Sequence, residues 1–267
     1  MSMQFTLLGT GPASPIPRIY CNCRVCDDAR KPNSKSARRR SSALLFANGR
    51  HILFDAGPDV LYQLERAKTH CVDAVFFTHA HNDAVGGFFD LDDILRKQKH
   101  PATLYVEDGT WKRIAHDIAG SKIWLKVKRI ETGKAVTVFD TRITPFRVEH
   151  SATPDFPTLG YRIADKLVYA SDVKRVPESS ERFIAGANSA VLDGCFWFGT
   201  HFPTHLNAQE TIALADRLRV KNLYLTQISH NYPLYAKAVH EIQEYCANNK
   251  ITTKVTLAYD GLTIVLD

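Results

Sequence analysis

Thr78-His79-Ala80-His81-Asn82-Asp83-Ala84-Val85-Gly86-Gly87 is the stretch on which the fold of this 267-residue chain turns. Just before it, residues 74–78 read as a short buried strand, and from about 87 to 96 the apolar spacing becomes helical. The histidines therefore sit on a loop at a strand's end, where α/β architectures commonly place active sites. Two histidines two residues apart can turn both imidazoles toward one point, and Asp83 adds a hard oxygen ligand. A mixed nitrogen and oxygen set suits zinc, manganese or iron.

On either side, short β-branched runs alternate with amphipathic segments. Residues 4–8 read as a strand ending in Gly9-Thr10-Gly11. Residues 42–47 and 51–54 form a predicted hairpin across Asn48-Gly49, followed by Asp55-Ala56-Gly57. Pro58 opens a helix to about residue 67. Further strands are predicted at 102–106, 124–128, 135–139, 142–147, 159–163, 167–170, 190–192, 222–226, 254–258 and 262–266, with helices at 179–185, 208–218 and 235–248. Antiparallel hairpins interleave with βα units in both halves, which excludes a simple doubly wound sheet. The pattern predicts an α+β chain with two sheets face to face and helices outside.

Composition bounds the rest. Hydrophobic residues make up 45% and charged residues 23%, an ordinary globular balance. No apolar run approaches the length of a membrane span, so no membrane partner is expected. The N-terminal MSMQFTLLGTG has no signal-peptide pattern, so the expected location is the cytoplasm. A net charge of +6 favours anionic partners, phosphorylated substrates among them. Arg38-Arg39-Arg40 reads as a solvated loop rather than a nucleic-acid site. Of six cysteines, Cys21, Cys23 and Cys26 fall within six residues and read as a metal site. Cys71, Cys195 and Cys246 read as buried core thiols.

The central stretch resembles the His-x-His-x-Asp-His signature of the metallo-β-lactamase superfamily. Asp55-Ala56-Gly57 resembles that family's Asp-x-Gly turn. His150, ending FRVEH, and Asp172, after LVYA, fall where the family places its third histidine and its metal-bridging aspartate. The resemblance implies a four-layer αββα sandwich, with residues 1–267 as one domain. Cys21-Asn22-Cys23-Arg24-Val25-Cys26 is similar to the insertion of the PhnP-type phosphodiesterases and of PqqB. A cysteine-rich insertion at about 19–40 is thus expected, its three thiolates and His230 holding a structural zinc. His205, in HLNAQETIALADRL, matches the family's general acid, with His201 as a rival.

Two ligands of the pattern are missing. Ala84 stands where the signature ends in histidine, and Gln227 where the last metal-binding histidine belongs. The first metal keeps His79, His81 and His150, with Asp172 adjacent. The second keeps Asp83 and Asp172, with Gln227 as a weak ligand. One well-held zinc or manganese is expected, and a second site that is weak, empty or taken by a harder ion. Three imidazoles and an open position can lower the pKa of bound water to about 7. The resemblance then implies a metal-bound hydroxide attacking a cyclic or small phosphodiester. Asp83 would orient the water and His205 protonate the leaving oxygen, with Lys174 or Arg175 as candidate anion ligands. The alternatives are a degenerate relative that binds a ligand or partner, and a PqqB-like role in coenzyme biosynthesis. The insertion speaks against β-lactam hydrolysis, and the lack of a long exosite arm against RNA processing. A homodimer is left open.

Overall fold

The structure, a computed structural model, describes residues 3–69, 71–116, 124–151, 153 and 155–266. One sheet holds β1 (Met3–Gly9), β2 (Ser42–Ala47), β3 (Arg50–Phe54), β4 (Ala74–Phe76), β5 (Ala102–Glu107), β6 (Leu125–Ile130) and β14 (Thr263–Leu266), in the order β14-β1-β2-β3-β4-β5-β6. The other holds β7 (Val136–Val138), β8 (Thr141–Val148), β9 (Thr158–Ile163), β10 (Leu167–Ala170), β11 (Ser189–Asp193), β12 (Asn222–Thr226) and β13 (Lys254–Leu257), in the order β13-β12-β11-β10-β9-β8-β7. Each sheet is antiparallel toward one edge and parallel toward the other.

Side-chain alternation explains the layers. In β3 and β4, Ile52, Phe54, Ala74 and Phe76 face the opposite sheet, where Phe54 and Phe76 pack on Tyr161. Leu53, Val75 and Phe77 face outward, beneath α2 (Val60–Arg66) and α4 (Phe88–Gln98). Strands buried on both faces read as continuous apolar runs, as these do. The second sheet is covered likewise by α7 (Ala208–Arg217) and α8 (Tyr235–Asn248), through Ile212, Ala215, Ala238 and Ile242. The αββα sandwich expected from the sequence is the observed fold. Asn48 and Gly49 both have positive φ, 52° and 75°, which suits a two-residue hairpin turn between β2 and β3. A reciprocal Asn207–Glu210 capping box starts α7. Among the described residues, no helix is long and apolar enough to cross a membrane.

Helices α1 (Arg24–Ala29), α3 (Asn82–Val85), α5 (Asp108–Ile114) and α6 (Glu178–Glu181) complete the set. The sequence reading missed α1, α3 and α5. Two other readings are corrected. The arginine run is no solvated loop: Arg38 is buried, donating to Thr10 Oγ1 at 2.7 Å and to the Ala258 carbonyl at 2.6 Å. Of the three cysteines assigned to the core only Cys195 is buried, while Cys71 and Cys246 are half-buried.

Close packing fixes the histidine loop. A Cβ added to Gly57 would lie 2.0 Å from the Asp83 carbonyl oxygen. Gly57→Ala must therefore push that loop away, and is expected to cost about 1–3 kcal/mol of stability, the usual range for overpacking. Urea unfolding of the two proteins measures it.

Candidate metal centre

The centre lies where both sheets present the ends of their strands. Asp55 leaves β3 with φ 60°, a left-handed conformation that a short polar side chain tolerates. Its carboxylate accepts the Thr78 backbone N–H at 2.8 Å and the Thr78 hydroxyl at 2.9 Å. That hydroxyl accepts from His79 Nδ1 at 2.8 Å. The relay leaves the second ring nitrogen, Nε2, as a lone pair. It is buried, with no hydrogen-bond partner.

His150, after β8, is fixed in the same way. Its Nδ1 donates to the Thr204 carbonyl at 2.9 Å, which turns Nε2 toward His81 Nδ1, 3.3 Å away. His81 is held by stacking on Phe156, ring centroids 4.2 Å apart. One ligand nitrogen from each of His79, His81 and His150 lies within 4.8 Å of the others. Three converging lone pairs, one of them orphaned in the interior, fit a divalent cation. Hydrogen bonds like those behind His79 and His150 are the kind that orient imidazoles for binding a metal.

Asp172, after β10, completes the cluster, its Oδ1 3.7 Å from His150 Nε2. Burial would raise its pKa, but the surrounding imidazoles outweigh this and hold it down to about 2. Asp83 is pushed the other way, to about 7, by burial and then by the Asp172 charge. Burial also presses His79 down to about 3. The groups around the cluster are thus strongly perturbed, as functional sites tend to be.

The two departures from the family pattern have clear structural outcomes. Ala84 is buried, and its carbonyl accepts the Ala56 N–H at 2.7 Å. Gln227, after β12, has φ 63°. Its Nε2 donates to Asp172 Oδ1, and its Oε1 accepts from Ser41 Oγ at 3.1 Å. The amide thus turns a donor, not a carbonyl, toward the shared carboxylate.

His205 flanks the cluster, its ring 4.6 Å from that of His150. Its Nδ1 donates to Asp193 Oδ2 at 2.6 Å, and that carboxylate also accepts the N–H groups of Val173 and Cys195, each at 2.8 Å. Burial would lower the His205 pKa, but Asp193 outweighs it and raises the imidazole to about 9. The rival His201 lies on the surface, paired with Glu210 at 3.0 Å. Arg175 is spent on a bidentate pair with Glu149, and Lys174 donates to the His205 carbonyl.

Two site residues escaped the sequence reading. Asp193 ends the apolar strand β11, as Asp55 and Asp172 follow theirs, and that placement was the signal available. Arg40 lines a cavity of about 480 Å³ together with Asp83, Asp172 and His205. Its Nε donates to the Ala13 carbonyl at 3.0 Å and its Nη1 to Asp59 at 3.1 Å. A neighbouring cavity of about 570 Å³ shares His150 and Ser151 and reaches Phe156 and Arg147.

The cysteine insertion meets β12 elsewhere. Sγ of Cys21, Cys23 and Cys26 lie 3.4, 3.6 and 3.6 Å from His230 Nδ1. Tetrahedral zinc with ordinary bond lengths has sulfur–nitrogen edges of about 3.5 Å. Cys23 caps α1, its sulfur accepting the Cys26 N–H, and the Arg18 N–H donates to the Cys26 sulfur.

Comparison with known proteins bears on the family and the fold. The family described as the beta-lactamase superfamily domain matches residues 50–228. The octanoyltransferase of Porphyromonas gingivalis is 26% identical over 99% of the chain, which spans only 52% of that protein's length. Coenzyme PQQ synthesis protein B of Methylorubrum extorquens is 23% identical, with 99% of this chain and 100% of that protein covered. The crystal structure of a diphosphatase from the PhnP family superposes with a TM-score of 0.85 at 25% identity, covering 100% of this chain and 98% of that one. Zinc-bound PqqB from Methylobacterium extorquens superposes with a TM-score of 0.79 at 21% identity, covering 98% and 99%. The chain belongs to the beta-lactamase superfamily and has the metallo-β-lactamase fold.

Proposed function

We propose that this chain is a metal-dependent hydrolase of a small or cyclic phosphodiester. One observation carries the reading: a single cavity is lined by His81, His150, the Asp83 and Asp172 carboxylates, a histidine backed by a buried aspartate and an arginine, with the His79 imidazole buried beside His81 and His150. A zinc or manganese ion held by His79, His81 and His150 would supply a Lewis acid and an activated water.

The protein's own groups do the rest. Asp83 faces the cavity and orients the attacking water by accepting its hydrogen bond. His205, protonated at neutral pH, delivers a proton from Nε2 to the leaving oxygen. Arg40, held rigidly by Asp59 and Ala13, offers its remaining N–H groups to the phosphoryl oxygens. Arg40→Gln is expected to lower kcat/KM on a phosphodiester by about 10–100-fold, the worth of a charge-assisted hydrogen bond of about 1.5–3 kcal/mol. Steady-state kinetics on matched metal-loaded proteins checks this.

We read the centre as holding one ion. The Gln227 amide donates to the Asp172 oxygen that a second ion would share, and Ala84 has no ligand to give. Gln227→His should then take up an additional equivalent of zinc, counted by elemental analysis. Cys21, Cys23, Cys26 and His230 hold a separate structural zinc, closed by four protein ligands.

The test is turnover of bis(p-nitrophenyl) phosphate with added manganese, nickel or zinc. Metal-dependent hydrolysis absent from the double variant His79→Ala, His81→Ala is the expected result. No turnover above that variant sinks the reading. The same two departures, Ala84 and Gln227, favour a second reading: a non-hydrolytic relative that binds a ligand, or a PqqB-like protein. Zinc confined to the cysteine cluster after metal supplementation would decide for it.

A further inference from the structure

At the opposite ends of β3 and β4 from the metal centre lies another cluster. The parallel register pairs Ile52 with Ala74, so His51 and Asp73 stand side by side one residue earlier. Cys71 reaches back over them from the preceding loop. His51 Nδ1 is 3.2 Å from Cys71 Sγ, and one ligand atom from each of His51, Cys71 and Asp73 lies within 4.8 Å of the others. We propose that these three side chains form an additional metal site, for zinc or a similarly thiophilic divalent ion.

The chemistry selects the ion. Imidazole nitrogen, thiolate sulfur and carboxylate oxygen together suit zinc, and the sulfur and nitrogen exclude magnesium and calcium as fitting occupants. An S–H···N hydrogen bond would account for the Cys71–His51 contact alone. Asp73 brings an oxygen ligand within reach of both. That carboxylate is oriented beforehand, as metal ligands are: Asp73 Oδ2 accepts the His51 N–H at 2.8 Å and Oδ1 accepts from Arg50 at 2.9 Å. Each oxygen keeps a lone pair for an ion. Asp73 is buried, while His51 and Cys71 are half-buried, so the site is anchored at its base and open to ions from outside. Binding displaces the Cys71 thiol proton to solvent, leaving the thiolate on the metal. Three protein ligands leave a fourth position for water. The site is remote from the hydrolytic centre and independent of its reading.

Cadmium-113 NMR of the full-length protein tests it, because the shift reports the number of sulfur ligands. The cysteine cluster gives a three-thiolate signal. A distinct one-thiolate signal, lost in both Cys71→Ser and His51→Gln while the three-thiolate signal persists, is the expected result, with one equivalent of cadmium lost per chain. The persisting signal shows that the variants are folded. A wild-type protein without a one-thiolate signal, or variants that retain both the signal and the equivalent, would overturn the assignment. So would a signal seen only at millimolar excess of cadmium.

Discussion

His205→Ala is expected to lower kcat on a phosphodiester by about 10²–10⁴-fold, the usual worth of a general acid, with the metal content unchanged. The residue sits beside His150 but is anchored elsewhere, by Asp193, whose carboxylate also takes two backbone N–H groups. Its loss removes a proton donor without removing a ligand from the trio His79, His81 and His150. The leaving group provides the check. An alkoxide needs the proton more than p-nitrophenolate does, so the loss should be larger for an alkyl ester than for bis(p-nitrophenyl) phosphate. Equal losses would make His205 a packing residue. Asp193→Asn carries the sign of the pH dependence. Asp193 is what raises the imidazole to about 9. Without it His205 gives up its proton at lower pH, and the alkaline limb of the kcat profile should move down.

Cys26→Ala is expected to cost more in stability than any single change at the catalytic cluster. Cys26 is fully buried, faces His230, and lies among Ile16, Val25 and Ala29 in the small core of the insertion. A structural zinc contributes its binding free energy to folding, about 10–16 kcal/mol in small peptides. Even a third of that rivals the ~5–15 kcal/mol that holds a whole domain together. A fall in Tm of at least about 10 °C, with loss of one zinc equivalent, is the expected result. Unchanged melting with the zinc gone would mean that the insertion folds without it.

The parts legible in the sequence were those that local spacing controls. The strand before His79, the hairpin at Asn48-Gly49 and the triple cysteine each declare themselves within ten residues. His150, Asp172 and His205 do not. They come from separate strand ends of the second sheet, and only resemblance to a family singled them out among eleven histidines and many aspartates. Asp193 and Arg40 went unread for different reasons. Asp193 acts through a neighbour, and no spacing marks that. Arg40 was taken as one member of a charged run, although successive side chains of an extended segment point to opposite sides. In the fold Arg38 is buried against Thr10, Arg39 turns to the other side over the Tyr62 ring, and Arg40 lines the cavity. The positive φ of Gln227 was equally invisible, since glutamine gives no hint of it.

The trio of imidazoles straddles the two sheets: His79 and His81 hang from β4, His150 from β8. The centre is therefore a seam, and an ion bound there acts as a rivet between two halves of the molecule. Mass action then makes occupancy a grip on the whole architecture, worth about 2.7 kcal/mol at a hundredfold excess over Kd. Chelation should let the halves breathe against each other, and peptides cut between β6 and β7 should find one another more readily when the ion is supplied.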